Sequence, residues 1–453
     1  MIKIGNRSDC IIKPMFEGEN TPSLPPGFKG KEAQSYISFN EKWNIYIGLG
    51  KLYTFTLDKL RQLSGKISEL MEKNGLKEAF IDISFFKKTG LKQDLIVQSL
   101  VEGFELSLYN YTKSKNLTLI INAQNFEKAL IMGKTVSNVQ NFVRRLVDTP
   151  PNELYPENFV SEVSKETKDL NLDTKVLTEN ELLEKGMCGI YNVGKGSIHP
   201  QRLLVLTYTP ESYKEHFVFI GKGVCFDSGG INLKRNGGRG MKGDMAGAAV
   251  AAGMAIISAK LNLDIKVTSI TPLVENMPAP HALKPDDVIT MYNGKRVEII
   301  SSDAEGRLIL ADALAFAEEM NPDHIIDIAT LTGGVISILG ELYSAVLGKD
   351  KKIIKKLVKS KDTTGEFFWE LPLIEEYKEF LKVNNNVADI KNSAGKVSTI
   401  SAALFLSEFV KTSHWTHIDI AGKEIWSKKR TYINAGATGI PLRSLTYLIT
   451  GLI

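Results

Sequence analysis

The sequence predicts an α/β protein with a smaller N-terminal α/β domain and a larger C-terminal domain built on a central, mostly parallel, mixed sheet flanked by helices. Three observations lead there. At 453 residues the chain is too long for one ordinary hydrophobic core. Short runs dense in Val, Ile and Leu recur at helix-length intervals. A helical pattern stops at Val147-Asp-Thr-Pro-Pro-Asn152, where two prolines forbid continuation and mark the junction between domains.

Residues 1–125 read as the N-terminal domain. Strand candidates at Trp43–Leu49, Ala79–Ile83 and Leu117–Asn122 alternate there with helical patterns at Leu57–Lys73 and Asp94–Leu108. Few side chains in this region form a chemically purposeful pattern, so a structural or assembly role is expected. Residues 126–150 read as a linker helix, periodic from Ala129 to Leu146. Residues 151–453 form the larger domain, with strands expected at Leu203–Tyr208, Phe217–Gly221, Lys266–Thr271, Ile325–Ala329 and His417–Ile420. Continuous apolar runs of this kind suit strands buried on both faces. The stretch Ala246–Ala259 is rich in alanine and glycine and falls short of the ~20 residues of a membrane span, so it reads as a tightly packed buried helix.

Composition narrows the possible partners. An apolar share of 43% and a charged share of 24% are ordinary for a globular protein and exclude disorder or coiled coil. The net charge of +4 is small and the lysines are dispersed, so no nucleic-acid partner is expected. Cys10, Cys188 and Cys225 are far apart and odd in number, which predicts free thiols in a reducing compartment. The first ten residues lack the apolar core of a secretory signal, so a cytoplasmic location without a membrane partner is expected.

Two clusters carry the chemistry. The first runs from Phe219 to Lys234, where a buried-type strand leads straight into Lys222, Asp227 and Lys234 among four glycines, with Asp244 ten residues beyond. Asp244 precedes the small-residue helix and could simply cap it. The second is Ser301-Ser-Asp-Ala-Glu-Gly-Arg-Leu308, in which Asp303, Glu305 and Arg307 alternate; on an extended segment they would share one face. Capping with an ion pair is the simpler alternative for that phrase. Converging carboxylates must be neutralised by protons, basic side chains or metal ions. Neither a His-Glu-x-x-His pattern nor paired cysteines exist, so oxygen ligands and a neutral lysine holding two divalent ions are the favoured chemistry.

These residues resemble the leucyl aminopeptidases of the cytosolic, hexameric, dizinc type. The matches are Gly221-Lys-Gly, Phe226-Asp-Ser-Gly-Gly, Lys234, Asp244-Met-Ala-Gly-Ala-Ala and Asp303-Ala-Glu-Gly-Arg-Leu, supported by Glu275-Asn-Met-Pro, Asp286-Asp-Val, Ala329-Thr-Leu-Thr-Gly and Trp415-Thr-His-Ile-Asp-Ile-Ala-Gly422. The resemblance implies a catalytic C-terminal domain that removes N-terminal residues, leucine and other apolar ones, from peptides. It implies two divalent metal ions, zinc or manganese, held by Lys222, Asp227, Asp244, Asp303 and Glu305, with Asp227 and Glu305 bridging both. A water between the ions would attack, Lys234 would polarise the scissile carbonyl, and Arg307 would hold a bicarbonate serving as general base. Leu331 would bind the substrate backbone through its carbonyl, Met241 would line the first side-chain pocket, and the chain would form a homohexamer. Departures from the pattern are Ser301-Ser302 in place of Asn-Thr, Cys225 in place of Thr or Ser, and the glycine-rich Arg235-Asn-Gly-Gly-Arg-Gly240.

Overall fold

The computed structural model describes residues 1–19, 26–384 and 386–453. Within these bounds the chain forms two compact units, residues 1–141 with 361–365 and 427–435, and residues 142–360 with 366–426 and 436–453. The division falls inside the helix Glu127–Asp148.

The first unit holds a six-stranded sheet in the order Ile2–Ile4, Thr118–Ile121, Glu78–Ile81, Cys10–Met15, Lys42–Gly48, Ser35–Asn40. All neighbours are parallel except the last pair, where Ser35–Asn40 closes the edge antiparallel. The helix Leu57–Lys73 begins where the Thr56 side chain accepts the Lys59 N–H and buries Leu57, Leu60, Leu63, Ile67 and Leu70, an apolar stripe at helical spacing. It packs on the helix Gln93–Leu108. The strand Cys10–Met15 is one that periodicity passes over, because it carries Lys13 and Pro14. Pro14 lies past the pairing with Glu78–Ile81, which ends at Ile12 opposite Ile81, so its missing N–H breaks no bond on that side.

The second unit is built on a nine-stranded mixed sheet. Eight strands run in the order Phe367–Glu370, Tyr343–Gly348, Trp415–Asp419, His324–Ala329, His216–Gly221, Lys266–Asn276, Arg202–Tyr208, Asp173–Leu177, and Gly223–Asp227 adds to the far end of Lys266–Asn276. The four central strands are parallel. Val218, Phe219, Ile220, Ile325, Ile326 and Ile328 are all buried, as their continuous apolar pattern predicts.

The helices Ala246–Leu261 and Gly306–Glu318 both pack on the central strands. With its preceding turn the first runs from Met241 to Leu261, 21 residues long and apolar enough in length and composition to cross a membrane, yet it is enclosed by the fold. The sequence estimate of a stretch too short for a span therefore counted only part of the segment, while its buried packing is as expected.

Small residues let this helix approach the sheet main chain to main chain. A Cβ on Gly247 would lie 2.1 Å from the Ile328 carbonyl oxygen, and one on Gly221 would lie 2.2 Å from the Gly247 oxygen. The Gly247→Ala variant should therefore lose roughly 1–3 kcal/mol of stability, the usual cost of forcing a methyl group into a packed core. Urea unfolding measures this, and an unchanged midpoint would mean that the helix can shift freely.

Candidate metal centre

The parallel strands end on one edge, and the polar residues that follow them gather there. His216–Gly221 ends just before Lys222, His324–Ala329 just before Thr330, and Gly223–Asp227 ends at Asp227 opposite Asn276. Gly306, at the start of its helix, leaves room for the Lys222 side chain; a Cβ there would sit 2.3 Å from Lys222 Cε.

The result is a tight ionic cluster. Lys222 Nζ donates to both oxygens of Asp244 at 2.8 Å and to the Thr330 carbonyl at 2.9 Å, and lies 3.0 Å from Glu305 Oε1. Lys234 Nζ lies 2.7 Å from Asp227 Oδ2 and pairs also with Asp303. Asp227, Asp303 and Glu305 each offer an oxygen, and these atoms lie within 4.8 Å of one another. Asp244 does not cap its helix: its carboxylate is taken by Lys222 and the Thr330 hydroxyl, at 2.7 Å, and Met245 holds the cap position.

Burial sets the electrostatics. Burial works against the charge on Lys222, but the carboxylates of Asp244, Glu305 and Asp227 outweigh it and hold its pKa well above the ordinary lysine value. Burial, then the Glu305 carboxylate, raise Asp227 to about 6, with Lys222 and Lys234 pulling the other way. Glu305 is also pushed up by burial, but Lys222 and Lys234 hold it below the usual carboxylate range.

Two ammoniums thus face four carboxylates, and the buried Glu305 Oε2 has no hydrogen-bond partner among the described residues. An oxygen-rich pocket with negative charge in excess and an orphaned carboxylate oxygen fits divalent cations.

Arg307 is buried and donates from Nη1 to the Asn392 carbonyl at 2.8 Å, while its Nε has no partner among the described residues. Burial pulls its pKa down to about 10, against the charges of Glu305 and Asp419, which favour its protonated form, so it stays charged at neutral pH and is suited to an external anion.

The expectation that Asp303, Glu305 and Arg307 share a face of an extended segment needs correction. Asp303 lies in a turn, Glu305 is already in the right-handed helical region (φ −73°, ψ −39°), and Arg307 belongs to the helix Gly306–Glu318. Asn392 enforces the turn, accepting the N–H groups of Ile300 and Ser301 on Oδ1 and donating to the Ser301 carbonyl.

Leu331 and Met241 sit at the margin. The Leu331 N–H donates to Asp419 Oδ1 at 3.1 Å, and Met241 opens the turn that ends at Asp244. Gly237, Gly238 and Gly240, between Lys234 and Met241, all have positive φ, at 65°, 75° and 90°.

Sequence reasoning left four supports without a role, although three of them, Asn276, Thr330 and Asp419, lie in phrases that carry the family resemblance. Asn276 donates to Asp227 Oδ1 at 2.8 Å and to the Ser302 carbonyl at 3.0 Å. Thr330 and Asn392 act as described, and Asp419 also accepts the Thr332 hydroxyl at 2.7 Å. A polar residue ending an apolar strand was the available signal for Asn276 and Asp419. For Asn392 there was none.

The sequence matches the model of the cytosol aminopeptidase family catalytic domain over residues 141–446 and that of the family's N-terminal domain over residues 27–117. The chain belongs to the cytosol aminopeptidase family. Its members are metallo-exopeptidase hydrolases, and this chain is an aminopeptidase of that kind. It is 36% identical to a probable cytosol aminopeptidase of Clostridium perfringens, covering 97% of this chain and 96% of that one. A second, from Geobacter sulfurreducens, is 37% identical over 88% of this chain and 83% of its own length. Among solved structures, the bottromycin maturation enzyme BotP in complex with Mn superposes with a TM-score of 0.91 at 29% identity, covering 98% of this chain and 100% of BotP. The family's two-domain α/β architecture is thereby that of this chain as well.

Proposed function

We propose that this aminopeptidase removes leucine and other apolar residues from the free amino end of peptides, using two divalent ions, zinc or manganese, held by Lys222, Asp227, Asp244, Asp303 and Glu305. The observation that carries this reading is the convergence of these five side chains, with Lys234, at the carboxyl edge of the sheet. BotP, solved with Mn, supports manganese as one candidate. Such ions supply Lewis acidity and a water nucleophile at neutral pH.

The chain's own groups do the rest. Lys234, part-exposed on the loop after Gly230, donates to the scissile carbonyl oxygen as negative charge develops there. Arg307 would hold a bicarbonate, which would supply a general base beside the scissile bond. The Leu331 carbonyl accepts the substrate N–H, the residue being held from its other side by the bond from its own N–H to Asp419, and Met241 forms part of the first side-chain pocket.

The N-terminal unit serves structure and assembly in a homohexamer, and a cytoplasmic location is in keeping with the relatives' names. On this reading residues 1–125, 126–150 and 151–453 act as assembly domain, linker helix and catalytic domain.

A panel of aminoacyl amides and dipeptides, assayed with zinc, manganese and cobalt in turn, tests the substrate and metal assignments. Leucyl amide should be among the best substrates. Preference for a charged first residue, or full activity after exhaustive chelation, would refute the reading. Light scattering should return six times the chain mass, and an active monomer would remove the hexamer.

A further inference from the structure

The amino ends of the central strands, on the edge opposite the catalytic cluster, carry a second group of ligating side chains. His324 opens the strand His324–Ala329, His414 directly precedes the strand Trp415–Asp419, and Asp350 caps the helix Lys351–Lys359. One ligand atom from each of the three lies within 4.8 Å of the others. We propose that His324, Asp350 and His414 form a separate binding site for one divalent ion of borderline softness, zinc being the natural occupant of such a two-nitrogen, one-oxygen donor set.

The geometry is close to what an ion needs. His324 Nδ1 lies 2.7 Å from Asp350 Oδ2, and His414 Nδ1 lies 3.9 Å from the same oxygen. Ligand atoms on a tetrahedral zinc, with bonds of about 2.0–2.1 Å, stand roughly 3.3 Å apart. The first pair must open and the second close by about half an ångström each, the ion replacing the proton shared between His324 and Asp350. His414, its side chain 59% exposed, has the most room to adjust.

The supports of the other two ligands are those that metal sites use. Asp350 Oδ1 accepts the Ile353 N–H at 3.1 Å, so Oδ2, the oxygen paired with His324 Nδ1, is the one that would ligate. His324 stacks on Phe217 at 4.7 Å between ring centroids, and its remaining nitrogen, Nε2, lies 3.9 Å from Glu215. At that distance, beyond a direct hydrogen bond, the carboxylate acts on the ring only electrostatically, favouring a proton on Nε2 and so leaving Nδ1 to ligate. Three protein ligands leave a fourth position on the solvent side beside His414. The ion would tie two neighbouring strands to the helix that follows Asp350.

The test counts zinc bound per chain after the intact protein is loaded with zinc sulfate and dialysed. His414→Ala, at an exposed position outside the catalytic cluster, should hold one zinc fewer than wild type and keep its peptidase activity. His324→Gln should show the same loss. In Lys222→Arg, which addresses the catalytic centre, this zinc should remain and disappear only when His414→Ala is added, so failure of one site is distinguishable from failure of the other. Equal zinc in wild type and His414→Ala would overturn the proposal. So would a loss of zinc that abolishes activity, because the ion lost would then be a catalytic one.

Discussion

Replacing Lys222 with arginine should remove most activity, by roughly 100-fold or more, and reduce the metal bound per chain in elemental analysis. Lys222 can ligate only as a neutral amine, and a guanidinium has no lone pair to offer near neutral pH. Arginine is also larger, and Gly306 marks how little space surrounds the Lys222 stem.

Lys222→Met separates the two causes. Methionine fits the volume but carries no charge, so if Lys222 merely offsets Asp244 and Glu305, its loss should leave metal binding equal or tighter. If Lys222 is a ligand, binding should weaken. The proton supplies an independent readout. Asp244, Glu305 and Asp227 hold the Lys222 pKa above its ordinary value against the effect of burial, so the ion must displace a firmly held proton. Apparent metal affinity should then rise with pH and fall by about tenfold per unit of acidification for each proton released.

The second large effect is expected at Arg307. Arg307→Ala should lower kcat by about 10²–10⁴-fold, the usual contribution of a positioned acid–base group, with KM little changed. The residue is buried, its guanidinium donates to a carbonyl, and its Nε is unpaired among the described residues, so a bound anion would complete its coordination. Removing bicarbonate from the assay should slow the wild type and leave the variant unaffected. Unchanged turnover in Arg307→Ala would take Arg307 out of the mechanism.

The parts of this protein that could be read from sequence are those in which chemistry and chain position coincide. The helix Leu57–Lys73 has the same bounds as its apolar pattern, and the central strands Phe217–Gly221 and Ile325–Ala329 differ by one residue from His216–Gly221 and His324–Ala329. Strands with mixed composition escaped, among them Cys10–Met15, Tyr343–Gly348 and Gly223–Asp227, because their partners rather than their own periodicity make them strands.

At the candidate centre, the six charged residues Lys222, Asp227, Lys234, Asp244, Asp303 and Glu305 announce themselves by type, and the fold brings them together. The backbone that aims them did not. Alternation suggested an extended path for 303–307, whereas Asn392, remote in sequence, bends it into a turn. The choice for Asp244 between cap and cluster also needed Thr330 and Lys222 in place before it could be made.

The loop Arg235–Gly240 gives the enzyme a place where novelty is cheap. An added methyl group on Gly237 or Gly240 would meet nothing within 4 Å, so space is free there, and only the positive φ restricts what side chain is accepted. Asp227 is secured on one side by strand pairing and Asn276, and Asp244 on the other by Lys222 and Thr330. Neither anchor runs through the loop. Versions of this hexapeptide varied at Gly237 and Gly240 with glycine or asparagine, but keeping Gly238, where a Cβ would lie 3.0 Å from the Asp227 carbonyl oxygen, are therefore a rational library for new substrate selectivity.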